Sequence, residues 1–126
     1  MLYKNILLID DDSDDADVFI EAINSLEKNI SCLAETNPVK ALEFLESTEI
    51  LPDLIFLDYN MPVLNGNEFI EKIRAVKKLE PIRVIVYSSY SETAAEQLSI
   101  IHDTETYITK PNTFTELTAV LKTILD

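Results

Sequence analysis

The sequence predicts a doubly wound α/β fold, with a five-stranded parallel sheet in the order 2-1-3-4-5 and five helices on its two faces. Three observations predict it. Short apolar runs rich in β-branched residues alternate along the chain with longer stretches of helical period. Three of the runs, Ile6 to Ile9, Leu54 to Leu57 and Val84 to Tyr87, lack polar alternation, as strands covered on both faces do. Each of the five runs is followed by an amphipathic stretch of helical period, and such helical crossovers are the connections a parallel sheet requires. The most apolar strands, the first, third and fourth, belong in the middle of the sheet, and that requirement gives the order. The 126 residues suffice for one domain, spanning 1–126.

The elements follow in sequence. After the first strand, Ala16, Phe19, Ile20, Ile23 and Leu26 make one apolar stripe and predict a helix from Asp14 to Glu27. Ile30 to Ala34 is a weaker run and reads as an edge strand. Asn37-Pro38 is an N-cap with proline in the first turn, opening a helix that carries Ala41, Leu42 and Leu45. Beyond the third strand, a helix over 65–78 turns Phe69, Ile70, Ile73 and Val76 inward, with Lys77 and Lys78 in its last turn favoured by the dipole. The stretch from Ser91 to His102 supplies Ala94, Ala95, Leu98 and Ile101 as a fourth helix. Thr106 to Thr109 is the other edge strand. Thr113 to Glu116 is a capping-box pattern opening the fifth helix, continued by Leu117, Val120, Leu121 and Ile124.

Composition narrows the function. With 47% hydrophobic residues the chain can build a core. Twenty-three acidic against ten basic side chains give a formal net charge of −13, which a nucleic acid or an anionic membrane would repel. Cys32 is the single cysteine, so neither an intramolecular disulfide nor a cysteine-based metal cluster can form, and a packed thiol in a reducing cytosol is expected. No signal-peptide pattern and no membrane-length apolar run occurs, so a cytoplasmic protein is expected.

In this topology chemistry gathers at the carboxyl ends of the strands. There the sequence places Asp10-Asp11-Asp12 after the first strand, Asp58 after the third, Ser88-Ser89 after the fourth and Lys110-Pro111 after the fifth. Carboxylates brought together repel one another and call for a cation, and hard oxygen ligands suit Mg²⁺ better than zinc or copper. Three aspartates, one Mg²⁺ and Lys110 are formally neutral together, so an incoming phosphoryl group meets no net repulsion. That balance favours phosphoryl transfer, with a carboxylate as nucleophile forming an aspartyl phosphate.

These residues match a family. Leu8 to Asp12, the block Leu57-Asp58-Tyr59-Asn60-Met61-Pro62 with Gly66, the Val86-Tyr87-Ser88 step and Tyr107 to Pro111 resemble the receiver domain of bacterial two-component response regulators, a flavodoxin-like fold, over essentially the whole chain. The resemblance implies that Asp58 is the phosphoacceptor, Asp11 a direct Mg²⁺ ligand and Asp10 a ligand through water. Asn60 would offer its backbone carbonyl to the metal, Ser88 would bind the phosphoryl group and Lys110 would hold it. Tyr107 resembles the aromatic switch residue that turns inward on phosphorylation. The sequence departs from the family at Asp103-Thr104, which stand where many receivers have Gly-Ala, and at Tyr87 and Ser89, which flank the hydroxyl. Tyr90 stands two beyond Ser88, placed to overhang the pocket.

The implied partners are a sensor histidine kinase or a phosphotransfer domain, and a downstream protein read through the face of the fourth helix, fifth strand and fifth helix. With the chain ending at its fifth helix, a stand-alone receiver is expected, self-phosphorylating and slowly self-hydrolysing rather than an enzyme. A different class, a constitutive interaction module of the same fold, would lack one of the acid pair, acceptor, hydroxyl or lysine, and all are present. A haloacid-dehalogenase-type phosphatase needs a second carboxylate where Asn60 stands. Asp10, Asp12, Asp14 and Glu21 fit the ligand spacing of a calcium loop, but Asp15 occupies its glycine position and a strand precedes it. For Asp12, Asp14, Asp15 and Asp17 the expectation is a solvated acidic helix start, and for His102 a surface position.

Overall fold

The computed structural model describes residues 3–59, 61, 63–89 and 106–125. The fourth predicted helix with His102, and also Asn60, Pro62, Tyr90, Asp103 and Thr104, lie outside the described residues. Those described form β1 (Asn5–Ile9), α1 (Ser13–Ser25), β2 (Ser31–Glu35), α2 (Pro38–Ser47), β3 (Leu54–Leu57), α3 (Gly66–Ala75), β4 (Arg83–Ser88), β5 (Thr106–Thr109) and α4 (Phe114–Leu125). Here α4 is the fifth of the helices expected from the sequence. The sheet is parallel throughout and runs β2-β1-β3-β4-β5, the order that the apolarity of the runs requires.

Strand side chains alternate between two cores. Leu7, Ile9, Ile55, Leu57, Val84 and Val86 meet Ala41, Leu45, Phe69 and Ile73 of α2 and α3. Ile6, Leu8, Leu54, Phe56, Ile85 and Tyr87 meet Ala16, Phe19, Ile23, Leu117 and Leu121 of α1 and α4. Phe19, Phe56 and Tyr87 form an edge-to-face group with centroids 4.9, 5.6 and 6.2 Å apart, the arrangement that ring quadrupoles favour. Cys32 is partly buried on β2 against the second core, and burial pushes its thiol up to about 12.

The expected caps are present, Asn37 Oδ1 accepting from Val39 and Lys40 and Thr113 Oγ1 from the Glu116 amide. Asn65 and Glu68 add a reciprocal capping box that the sequence reading did not name. Three boundaries differ from the sequence reading. The first helix begins at Ser13, because Asp12 is its N-cap, and ends at Ser25, because Glu27 takes a left-handed φ of 54° that no helix continues. The third ends at Ala75, with Val76 extended at φ −99° and ψ 117°, so Lys72 and Arg74 occupy its last turn in place of Lys77 and Lys78. The cause is tertiary: Arg74 Nη1 donates to the carbonyls of Glu80 and Ile82 at 2.7 and 2.9 Å, drawing the following turn back onto the helix. Lys78 instead reaches across to α2, donating to the Glu46 carbonyl at 2.8 Å, where a cation complements that helix's C-terminus.

Gly66 opens α3 directly against Tyr59, its amide donating to the Tyr59 carbonyl at 2.9 Å. A Cβ there would stand 2.8 Å from Tyr59 Cδ2 and 3.0 Å from Tyr59 Cα, and the backbone atom cannot swing aside. Gly66→Ala is therefore expected to destabilise the chain by about 1–3 kcal/mol despite alanine's better helix propensity. Urea unfolding of the two proteins measures the difference, and an unchanged midpoint would contradict it.

Candidate functional site

The site lies where β1, β3, β4 and β5 end. The residue after each of β1, β3 and β5 extends the parallel ladder by one hydrogen bond. The Asp10 amide donates to the Glu35 carbonyl at 3.2 Å, that of Asp58 to Ile9 at 2.8 Å and that of Lys110 to Ser88 at 2.7 Å. Their side chains are thus fixed by the sheet before any side-chain contact is made.

The three carboxylates of Asp10, Asp11 and Asp58 each place an oxygen within 4.8 Å of the others. Asp10 and Asp58 are buried, 1% and 6% exposed, whereas Asp11 faces solvent. Asp10 uses both oxygens internally: Oδ1 accepts from the Asp12 amide at 3.0 Å and Oδ2 from Lys110 Nζ at 2.9 Å. Asp12 is committed elsewhere, its Oδ1 capping α1 through the amides of Asp14 and Asp15, which separates it from the acid pair and removes the calcium-loop arrangement. Hard carboxylate oxygens with one partner open to water form a donor set that fits Mg²⁺, an ion that keeps several of its waters.

Lys110 Nζ is the cation of the site, 3.8 Å from Asp58 Oδ2. Burial alone would lower its pKa. The hydrogen bond to Asp10, the attraction of Asp58 and a further bond to Asp15 outweigh burial and hold the ammonium above the usual lysine range, so it stays charged through neutral pH. Ser88 closes β4, fully buried. Tyr107 lies half-buried in β5, paired with Val86 and packed against the first core.

Two residues join the site that the sequence reading left out. Asp15, expected in a solvated helix start, accepts from Lys110 Nζ through Oδ2 at 3.1 Å. The signal was its place four residues before the buried Phe19, which sets it over the inward stripe of α1. Tyr87 puts its ring centroid 5.5 Å from Lys110 Nζ, and burial, opposed by Lys110 and reinforced by Asp15, Asp10 and Asp58, pushes its phenol up to about 12.

A family model, the response regulator receiver domain, matches residues 6–122. The chain is 30% identical over 117 residues to the sensor histidine kinase CheAY of Helicobacter pylori, covering 93% of this chain and 14% of that protein. It superposes on the phosphorylated cyanobacterial phytochrome response regulator RcpA with a TM-score of 0.82 at 26% identity, covering 97% of this chain and 91% of that one. The Mn²⁺-bound form of response regulator Rcp1 gives 0.76 at 25% identity, with 96% and 91% covered. The chain belongs to the response regulator receiver domain family, the signalling modules of two-component systems. It spans 14% to about half of the length of the curated relatives it matches.

Three carboxylates facing one ammonium leave the cluster with excess negative charge. Asp58→Asn removes one charge and keeps the shape, so in divalent-free buffer it is expected to raise stability by on the order of 1 kcal/mol, the scale of two unit charges ~4 Å apart with solvent-like screening. Denaturant melts at low and high salt check this: the gain should shrink as salt screens the carboxylates, and a loss of stability at low salt would contradict it.

Proposed function

We propose that this chain is a single receiver domain over 1–126 that takes a phosphoryl group onto Asp58 from a phosphohistidine of a sensor histidine kinase or phosphotransfer domain. The observation that carries the reading is the convergence of Asp10, Asp11 and Asp58 with Lys110 at one end of the sheet. An Asp58 oxygen bonds to phosphorus as the P–N bond of the donor imidazole breaks, the electron pair leaving with the nitrogen.

Asp11 and Asp58 would hold Mg²⁺ directly, with Asp10 through water and Asn60 by its carbonyl. The ion supplies positive charge against the oxygens of the transferring group. Lys110 offers a further counter-charge from the opposite side, and Ser88 a hydroxyl donor. Asn60 stands where a haloacid-dehalogenase-type phosphatase carries its general-acid carboxylate, so the product is a modified protein that reverts by slow hydrolysis. The protein is in this reading a switch rather than an enzyme.

The output is a surface read by another protein. New acceptor oxygens on Asp58 draw the Ser88 hydroxyl inward and leave room for Tyr107 to turn, altering the face of the fourth predicted helix, β5 and α4. The charge of −13 argues against nucleic-acid or anionic-membrane partners. Among the described residues no helix is long and apolar enough to cross a membrane, and the reading is of a cytoplasmic protein.

Incubation with Mg²⁺ and phosphoramidate, followed by intact-mass measurement, is expected to add one phosphoryl group to the parent chain, none without a divalent cation and none to Asp58→Asn. A variant labelled as well as its parent would overturn the assignment of Asp58. The two neighbouring acids should separate by role. Asp11→Ala is expected to lose Mg²⁺ binding in a metal titration. Asp12→Ala should keep that binding and lose about 0.5–2 kcal/mol of stability, because its carboxylate caps α1. Equal losses of metal affinity would reverse the reading of this pair.

A further inference from the structure

Lys110 is held by more carboxylates than the chemistry of a phosphoryl site needs. Its ammonium has three protons, and two are directed at oxygens within hydrogen-bond distance, Asp10 Oδ2 at 2.9 Å and Asp15 Oδ2 at 3.1 Å. Asp58 Oδ2, at 3.8 Å, receives an ion pair without a hydrogen bond. The Tyr87 ring backs the ammonium at 5.5 Å, so Lys110 rests among Asp10, Asp15 and Tyr87, displaced from the oxygen that would carry phosphorus.

We propose that Asp15 is a positioning residue that restrains Lys110 in this resting place and so slows phosphorylation of Asp58. The inference rests on the reading of Asp58 as phosphoacceptor. When an Asp58 oxygen bonds to phosphorus, charge develops on phosphoryl oxygens that Lys110 must meet. With phosphoramidate as donor the P–N bond breaks and its electron pair leaves with nitrogen as ammonia, so no further reactant is required. The two bonds hold Nζ 3.8 Å from Asp58 Oδ2, so to move within hydrogen-bond distance of the incoming group Lys110 must lengthen or release one of them.

The two bonds are unequal. Asp10 is buried and its other oxygen is taken by the Asp12 amide, so releasing it would leave a buried carboxylate half-satisfied. The Asp15 side chain is 50% exposed, and water replaces the lost partner at small cost. Asp15 is therefore the partner given up, and its hold on Lys110 is a barrier to that movement. Its charge is also one more than the formally neutral set of three aspartates, Mg²⁺ and Lys110 accommodates.

The test measures the rate of Asp58 labelling by phosphoramidate and Mg²⁺ in the full chain. Asp15→Asn keeps the shape and a neutral acceptor, and is expected to speed labelling roughly two- to fivefold, the range spanned by partly exposed ion pairs. Asp15→Glu restores the charge and should return the rate toward that of the parent. In a Lys110→Ala background, where labelling is slower overall, Asp15→Asn should give no gain, because the residue it releases is gone. An unchanged or slower rate in Asp15→Asn overturns the proposal, as does a gain of equal size without Lys110, which would mean simple repulsion of the donor. Labelling absent from the parent chain would overturn the reading of Asp58 and this inference with it. Labelling present and indifferent to Asp15 would overturn this inference alone.

Discussion

The hydrogen bond from Lys110 to Asp10 spans 100 residues of sequence and makes the rest of the site possible. A carboxylate with 1% exposure is costly unless a charge meets it, and here the compensating charge comes from the far end of the chain. The sheet makes that meeting geometric rather than fortuitous. Because all five strands run parallel, their carboxyl ends share one edge, and the residue that follows β5 arrives beside the residue that follows β1 after two intervening strands. The ladder bonds of the Asp10, Asp58 and Lys110 amides fix the spacing within that edge. The site is thus a property of strand order and strand length, and the two cores that cover the sheet are what hold those lengths in register.

Much of this was legible because it depends on local pattern. Continuous apolar runs announced the central strands, and Asn37 and Thr113 announced two helix starts through chemistry that acts within three residues. What the sequence concealed lies in contacts between residues far apart. α3 ends early because Arg74 holds carbonyls six and eight residues ahead. Asp53, an ordinary loop acid by its neighbours, accepts from the amides of Lys4 and Asn5 at 2.8 and 2.9 Å and fixes the start of β1. Asp15 was concealed for the same reason. Beside Asp12, Asp14 and Asp17 its charge is accounted for by the helix dipole, and its place four residues before Phe19 gains meaning only once Lys110 is seen beside it.

The acidic edge sets the site's own energetics against the fold's. Like charges gathered within 4.8 Å oppose compaction, and a single ammonium cannot neutralise three carboxylates. The sheet tolerates the cluster because its central strands are buried at every residue beyond Asn5 and Arg83 and contribute the compensating hydrophobic stabilisation. A divalent ion and a phosphoryl group would each change this local balance by whole charges. A site poised on unbalanced charge responds to them more strongly than a neutral one, and on the proposed function this would be the physical basis of switching.

The loop that follows Asp58 shows how rigidly that response is framed. Val63, 88% exposed, holds a left-handed φ of 70°, a conformation that a β-branched residue adopts only under constraint. The constraint is visible on both sides. Met61 and Leu64 are buried in the first core, and the Tyr59 carbonyl accepts from the amides of both Met61 and Gly66. With two anchors in the core and a turn tied to one carbonyl, the chain between them has too few degrees of freedom to relax Val63 into the extended region. Gly66 is the only glycine of the chain and is needed for its contact with Tyr59, so none remains to relieve position 63. The strain is local to the segment that leads away from Asp58.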